Sequence, residues 1–258
     1  MSRISDAFAK GKVFIPFVTG GDPNVETTYR IIMAMVENGA DIIEIGIPFS
    51  DPIAEGPVIQ EADIRALASG TTTDSLFDLV VRLRKETDVP LIFMTYMNPI
   101  YVYGTDNFMK KCAEVGIDGV IVPDVPFEEK EELRQQCEDN GLDLISMIAP
   151  TSEARIESIA KEAKGFIYCV SSLGVTGVRS EITTDIGEMV RHVKNVTDTP
   201  VAVGFGISTP EQAKKMAGLS DGAIVGSAIV KIIAKHGKDA VPYVAEYVKS
   251  MKEAVLQA

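Results

Sequence analysis

The chain has 258 residues, 46% of them hydrophobic and 24% charged, which excludes a disordered, collagenous or disulfide-built protein and suits an architecture of more than ~200 residues around one core. A net charge of -12, from 37 acidic against 25 basic residues, excludes a nucleic-acid footprint or a polybasic membrane surface, so any anionic ligand must be held by local devices. Three cysteines without a CxxC pair, a start (MSRISDAFAKGKVF) without an apolar leader, and no run of ~18 apolar residues predict reduced thiols in a soluble cytoplasmic protein.

Short β-branched runs recur along the chain: VFIPFVT from Val13, IIEIGI from Ile42, LIFMTY from Leu91, GVIVPD from Gly119, LDLISMIAP from Leu142, FIYCVSS from Phe166, VAVGFG from Val201 and GAIVGS from Gly222. Their starts lie about 20 to 35 residues apart, with one gap of about 50, the period of a repeated strand, loop and helix. Eight such units predict an α/β fold, the (β/α)8 TIM barrel, with extra helices and elongated loops after strands two and six, in a single domain spanning 1–258.

The segments between the strands read as helices. Val25, Tyr29, Ile32, Met33 and Val36 fall on one face of a helix that Asp22 and Pro23 suit as N-cap and first residue and Gly39 as terminator. Thr73 suits the cap of a helix whose Leu76, Val80 and Leu83 share a side, and Val241, Val244, Val248, Met251 and Val255 predict a last amphipathic helix. The long gap after strand two holds PFSDPIAEGPVIQ, too rich in proline and glycine for helix, before a helical stretch over Glu61–Ala68. Active sites of such barrels lie at the C-terminal ends of the strands, so this loop is a functional suspect.

Strand alternation puts Ile42, Glu44 and Gly46 on one face and Ile43, Ile45 and Ile47 on the other. The isoleucine face belongs against the helices, which turns Glu44 into the barrel. There a carboxyl loses solvation and its pKa rises, giving a group that donates and accepts a proton near neutral pH. Asp51 and Glu55 add two acids in the loop beyond, between Pro48, Pro52 and Pro57.

VGFGIS (Val203 to Ser208) and VGSAIV (Val225 to Val230) place glycines where strands seven and eight meet their helices, with Pro210 and Ser227 near the helix starts. Backbone amides and helix dipoles there predict a phosphate site without lysine or arginine. A dinucleotide fingerprint does not fit GFGIST, because Thr209 stands where the third glycine belongs. SSLGVTGVRS (Ser171 to Ser180) reads as a lid with Gly174 and Gly177 as hinges and Thr176 as a latch. Only His192 and His236 are available as histidines, so no metal cluster is predicted, and neither a strand lysine for a Schiff base nor a GxSxG elbow occurs. Carboxylate acid-base chemistry on a phosphorylated substrate remains.

Taken together and in this order, FVTGGDP, IEIGIPFSDPIAEGP, VPDVP, SSLGVTG, GFGIS and GSAIVK resemble the tryptophan synthase alpha chain family from about Phe14 to Lys231. The resemblance implies a barrel lyase that cleaves indole-3-glycerol phosphate to indole and glyceraldehyde 3-phosphate. It further implies that indole passes to a beta chain in an alpha2beta2 heterotetramer, with pyridoxal phosphate in the beta chain and no cofactor here. By motif, Glu44 matches the glutamate that protonates indole C3. Glu55 falls where the family has an aspartate on the indole N–H, since this chain reads AEGP in place of ADGP.

The same resemblance makes Phe17, Ile148 and Tyr168 walls of the indole pocket. It places Gly177, Phe205, Gly206, Gly226 and Ser227 around the substrate and its phosphate, and sets Thr176 as the lid residue that reaches Glu55. Asp51 and the loop after strand three, with Asn98, Pro99 and Tyr101, face the beta chain, and Asp124 in VPDVP is a conformational residue near the mouth. The alternatives are another phosphate-binding barrel, such as an isomerase, or a barrel subunit that binds phosphorylated ligand without turnover.

Overall fold

The computed structural model describes residues 2–170, 186–204 and 206–258. In chain order the elements are α1 (Arg3–Phe8), β1 (Val13–Thr19), α2 (Val25–Glu37), β2 (Ile43–Gly46), α3 (Pro57–Ala68), α4 (Thr73–Leu83), β3 (Leu91–Met94), α5 (Met97–Tyr103), α6 (Thr105–Val115), β4 (Gly119–Ile121), α7 (Glu131–Asp139) and β5 (Asp143–Leu144). They continue with β6 (Ser146–Ile148), α8 (Glu153–Glu162), β7 (Ile167–Val170), α9 (Ile186–Lys194), β8 (Val201–Gly204), α10 (Pro210–Leu219), β9 (Gly222–Val225), α11 (Ser227–His236) and α12 (Val241–Val255).

All strand pairs are parallel, in the order β5-β4-β3-β2-β1-β9-β8-β7-β6. The fifth predicted strand is broken at Ile145: its first half pairs with β4 and its second with β7. The Ile145 N–H still reaches the Val120 carbonyl at 2.9 Å, so the chain itself joins the two ends of the sheet into a barrel.

Strand alternation sorts the core into two shells. Ile15, Ile42, Ile92, Ile121, Ile145, Ala202 and Ile224 fill the barrel, plugged from below by Ile4 and Ala7 of α1. Ile43, Ile45 and Ile47 pack outward against the helices, as their period predicts. The N-terminal rim is tied by three aspartates, each ahead of a strand and each holding a neighbouring strand's N–H. Asp41 accepts from Phe14 at 2.7 Å, Asp118 from Leu91 at 2.8 Å and Asp221 from Val201 at 2.9 Å. Each is neutralised by a cation: Lys252 at 2.6 Å, Arg84 at 2.7 Å with Arg3 at 3.1 Å, and Lys194 at 2.6 Å. The rim at the N-terminal ends of the strands is therefore a stability layer.

Several boundaries differ from expectation. Asn24 caps α2, taking the Thr27 N–H at 2.8 Å, while Asp22 is committed to a two-pronged pair with Arg65 at 2.9 and 2.8 Å. The most buried stripe of α2 is Thr28, Ile31, Ile32 and Met35, with Tyr29, Met33 and Val36 on its flanks, because both α4 and α12 pack beside it. Thr72 rather than Thr73 caps α4, in a reciprocal box with Ser75. Helix α3 starts at Pro57, four residues earlier than Glu61, since proline at the first position needs no N–H partner. The segment MNPIYVY, expected as loop, is α5; its Pro99 lies in the first turn, where an N–H is dispensable. Cys112, Cys137 and Cys169 are buried free thiols, and burial pushes Cys169 up to about 12.

Candidate active site

A pocket of about 480 Å³ opens at the C-terminal ends of the strands. Phe17 of β1, Met94 of β3, Tyr168 of β7 and Ile224 of β9 line it, with Ile59 of α3 and Ile207 beyond β8. These apolar walls leave a slot suited to a flat ring.

Glu44 stands at the floor of the slot, paired in register with Phe17 on one side and Ile92 on the other. The residue is 1% exposed, and its Oε1 has no hydrogen-bond partner among the described residues. Burial, and secondarily the charge of Glu55, raise its pKa to about 8. At neutral pH Glu44 is therefore a carboxylic acid with a proton to give, on the lining of the pocket.

Glu55 approaches from the loop after β2 and is 5% exposed. Its Oε1 accepts from the Tyr96 hydroxyl at 3.3 Å, and that hydroxyl accepts the Ala54 N–H at 3.2 Å. The Gln60 carboxamide donates to the Glu55 carbonyl at 2.7 Å, tying the loop to the first turn of α3. Tyr168 closes the far wall; burial, then Glu44 and Glu55, hold its phenol well above its ordinary pKa, so it stays protonated. A Cβ on Gly204 would lie 2.7 Å from that hydroxyl, so glycine there makes room for the ring.

Gly206, Gly226 and Ser227 form the other end of the pocket. Gly206 has φ +85°, which only glycine adopts without strain. Helix α10 is closed to ligands because Thr209 and Gln212 cap it reciprocally. Helix α11 begins at Ser227 with Gly226 as N-cap and no capping side chain, so its first-turn amides remain available to an anion.

Of the residues singled out in the sequence, Glu44, Glu55, Phe17, Tyr168, Gly206, Gly226 and Ser227 meet in this one pocket. Thr176, Gly177 and Phe205 lie outside the described residues. Ile148 is a correction: it packs between sheet and helices with Ile156 and Ile159 and does not line the pocket. Alternation runs on through the break: Ile145 and Met147, the latter in register with Tyr168, face the inner shell, and Ile148 turns outward.

Asp51 is exposed on the loop, and Asn98, Pro99 and Tyr101 ride on α5, with Tyr101 72% and the adjoining Val102 78% exposed. Asp124 accepts the Met97 N–H through both carboxylate oxygens, at 3.0 and 3.1 Å, and so caps α5 from the loop after β4. Sequence reasoning missed Tyr96, whose bond to Glu55 spans 41 positions. It also missed Asp63, although Ile59, Ala62, Asp63 and Ala66 form the buried stripe of α3 and an acid on such a stripe is a readable signal.

Acid-base chemistry on a substrate with an apolar ring and an anionic tail is the class of work to which this barrel mouth is suited. The model of the tryptophan synthase alpha chain family matches residues 5–256. A tryptophan synthase alpha chain of Lacticaseibacillus casei is 49% identical over 255 residues, covering 99% of this chain and 96% of that protein. One from Thermoanaerobacter sp. (strain X514) is 47% identical, covering 99% and 100%. Among solved structures, the alpha subunit of Legionella pneumophila superposes with a TM-score of 0.91 at 36% identity over 100% of both chains. The chain belongs to the tryptophan synthase alpha chain family.

Proposed function

We propose the following division of labour for the family's lyase reaction, the cleavage of indole-3-glycerol phosphate to indole and glyceraldehyde 3-phosphate. The bond between indole C3 and the adjoining hydroxyl-bearing carbon breaks. C3 gains a proton, and the hydroxyl loses one as its carbon becomes the aldehyde. Glu44, neutral at pH 7, gives its proton to C3 and makes the ring an electron sink. The carboxylate so formed takes the hydroxyl proton as the carbon-carbon bond opens, which restores the acid and balances the step.

Glu55 accepts the indole N–H and stabilises the positive charge that C3 protonation puts on the ring. A glutamate carries its carboxylate about 1.5 Å beyond an aspartate's, a displacement that matters where errors of about 1 Å cost ~100-fold. The Tyr96 hydroxyl supports the role by holding Oε1 at the pocket wall. Phe17, Met94 and Tyr168 flank the ring, and the open first turn of α11 with Gly206 takes the phosphate.

The observation that carries this reading is a buried acid, poised near 8 and without a partner, across an apolar slot from an uncapped helix N-terminus. Indole is then passed to a beta chain carrying pyridoxal phosphate, in an alpha2beta2 assembly. The exposed Ile53, Tyr101 and Val102 beside the mouth favour that face for docking. We place the protein in the cytoplasm; among the described residues no helix is long and apolar enough to cross a membrane.

Steady-state indole release from indole-3-glycerol phosphate by Glu55→Gln tests the assignment of Glu55. We expect kcat/KM to fall at least ~100-fold, the loss typical when one charge-stabilising group is removed. Turnover equal to the parent would move the role to Asp51.

A further inference from the structure

Both aromatic walls of the slot lean over a glycine of the next strand. Phe17 pairs in register with Glu44, and Gly46 is the following inward-facing position of β2. Tyr168 pairs with Ala202, and Gly204 is the following inward-facing position of β8. A Cβ on Gly46 would stand 2.7 Å from Phe17 Cζ and 2.9 Å from Cε2, just as one on Gly204 would stand 2.7 Å from the Tyr168 hydroxyl.

Nothing else requires glycine at position 46. It lies in a regular parallel strand, paired with Thr19 and Met94, and its φ is not positive. After the two ring atoms, the nearest atom to its missing side chain is the Val18 carbonyl oxygen at 3.6 Å, an ordinary contact. The far edge of the Phe17 ring therefore fills the space of a side chain there. That ring has no other place to go. Ile59, Ala62 and Val230 pack against Phe17, and its Cδ1 and Cβ lie 3.3 and 3.4 Å from where a Cβ on Gly226 would be. A ring pushed off Gly46 moves into the slot, which it already lines.

We propose that Gly46 is a specificity-determining residue for the substrate's ring: its missing side chain lets the Phe17 ring lie back over β2, which gives the slot the width of a bicyclic aromatic. This rests on the function proposed above. Any side chain at position 46 narrows the ring end of the pocket and leaves the phosphate end, at Gly206 and Ser227, as it is.

The test separates the two ends. Steady-state indole release gives KM for indole-3-glycerol phosphate, and competitive inhibition by glycerol 3-phosphate, which has the tail without the ring, gives affinity at the phosphate end. For Gly46→Ala we expect KM to rise at least ~10-fold, within the range that overpacking a filled site produces, and Ki for glycerol 3-phosphate to stay within ~3-fold of the parent. Phe17→Leu removes the ring atoms that meet position 46 and keeps the bulk beside Gly226. Added to Gly46→Ala, it is expected to return KM to within ~3-fold of that of Phe17→Leu alone, because the two residues act through one contact.

Unchanged KM in Gly46→Ala, an equal loss for both ligands, or a double variant whose KM stays at least ~10-fold above that of Phe17→Leu overturns the proposal. Should Gly46→Ala not fold, the double variant decides: folding with the KM of Phe17→Leu supports the proposal, and failure to fold overturns it. A parent that neither binds nor cleaves indole-3-glycerol phosphate would overturn the reading of the pocket instead.

Discussion

The Tyr96 hydroxyl sits between two points of one loop, accepting the Ala54 N–H at 3.2 Å and donating to Glu55 Oε1 at 3.3 Å. The next residue, Met97, has its N–H held by Asp124. Two adjacent residues thus join the carboxylate in the pocket to α5, the helix that carries the exposed Tyr101 and Val102. Tyr96→Phe keeps the ring against Phe49 but strands the Ala54 N–H and removes the hydroxyl's bond to the carboxylate. We expect kcat/KM for indole release to fall ~10-fold, corresponding to one lost hydrogen bond of about 1–1.5 kcal/mol, with the melting temperature little changed.

Glu44 carries a stability signature independent of activity. Its folded pKa, about 8, lies above its ordinary 4.5, so the folded protein holds a proton that the unfolded chain has released between those values. Stability from this group is complete below about pH 4.5 and is lost as pH rises through 8. Glu44→Gln removes the ionisation, and we expect it to raise stability near pH 9 by on the order of a few kcal/mol while leaving it nearly unchanged near pH 4.5. Urea unfolding of the two proteins at both pH values checks this; equal differences at the two would contradict the buried-acid assignment.

Gly204 leaves space for Tyr168. A methyl there would meet the phenol ring at 2.7 Å, and the flanking sheet leaves the ring only the pocket to move into. Gly204→Ala is expected to raise KM at least ~10-fold, as overpacking of ~1–3 kcal/mol is transferred to the substrate slot, with a smaller effect on kcat. Steady-state kinetics across a substrate titration read the split.

The phosphate end is tested by Ser227→Asp, which sets a negative charge at the uncapped start of α11. Although an acid at a helix N-terminus ordinarily stabilises it by ~0.3–1 kcal/mol, here it competes with the substrate's own anion. We expect unchanged or higher thermal stability together with a KM raised at least ~10-fold by like-charge repulsion at short range. Loss of stability with unchanged KM would place the phosphate elsewhere.

At the opposite rim, Asp118 ties Arg84, Arg3 and the Leu91 N–H together while being nearly buried. Asp118→Ala leaves the Arg84 guanidinium without its anion and is expected to cost about 3–5 kcal/mol of stability. Because the rim is remote from the mouth, kcat/KM at a temperature where the variant stays folded should match the parent.

The period-2 pattern of Ile42 to Ile47 fixes which way Glu44 points because β2 is a regular strand buried on both faces. Ile148 comes from the resemblance and not from this period: alternation with Ile145 and Met147 facing inward turns it toward the helices. MNPIYVY, with Pro99 inside it, reads as loop until Asp124, from a distant loop, is seen to cap it as a helix. Gly206 and Gly226, at the pocket end beside α11, are visible as local motifs. The support of Glu55 by Tyr96 is not, because it arises between segments that only the closed barrel brings together.

The most direct test is indole release from indole-3-glycerol phosphate by the purified chain, with and without a tryptophan synthase beta chain, for the parent and Glu44→Gln. The account predicts indole from the parent, faster with the beta chain present, and a fall of at least ~1,000-fold for Glu44→Gln when its proton-donating group is lost. Undiminished turnover by Glu44→Gln, or tight substrate binding by the parent with no indole under either condition, would contradict it.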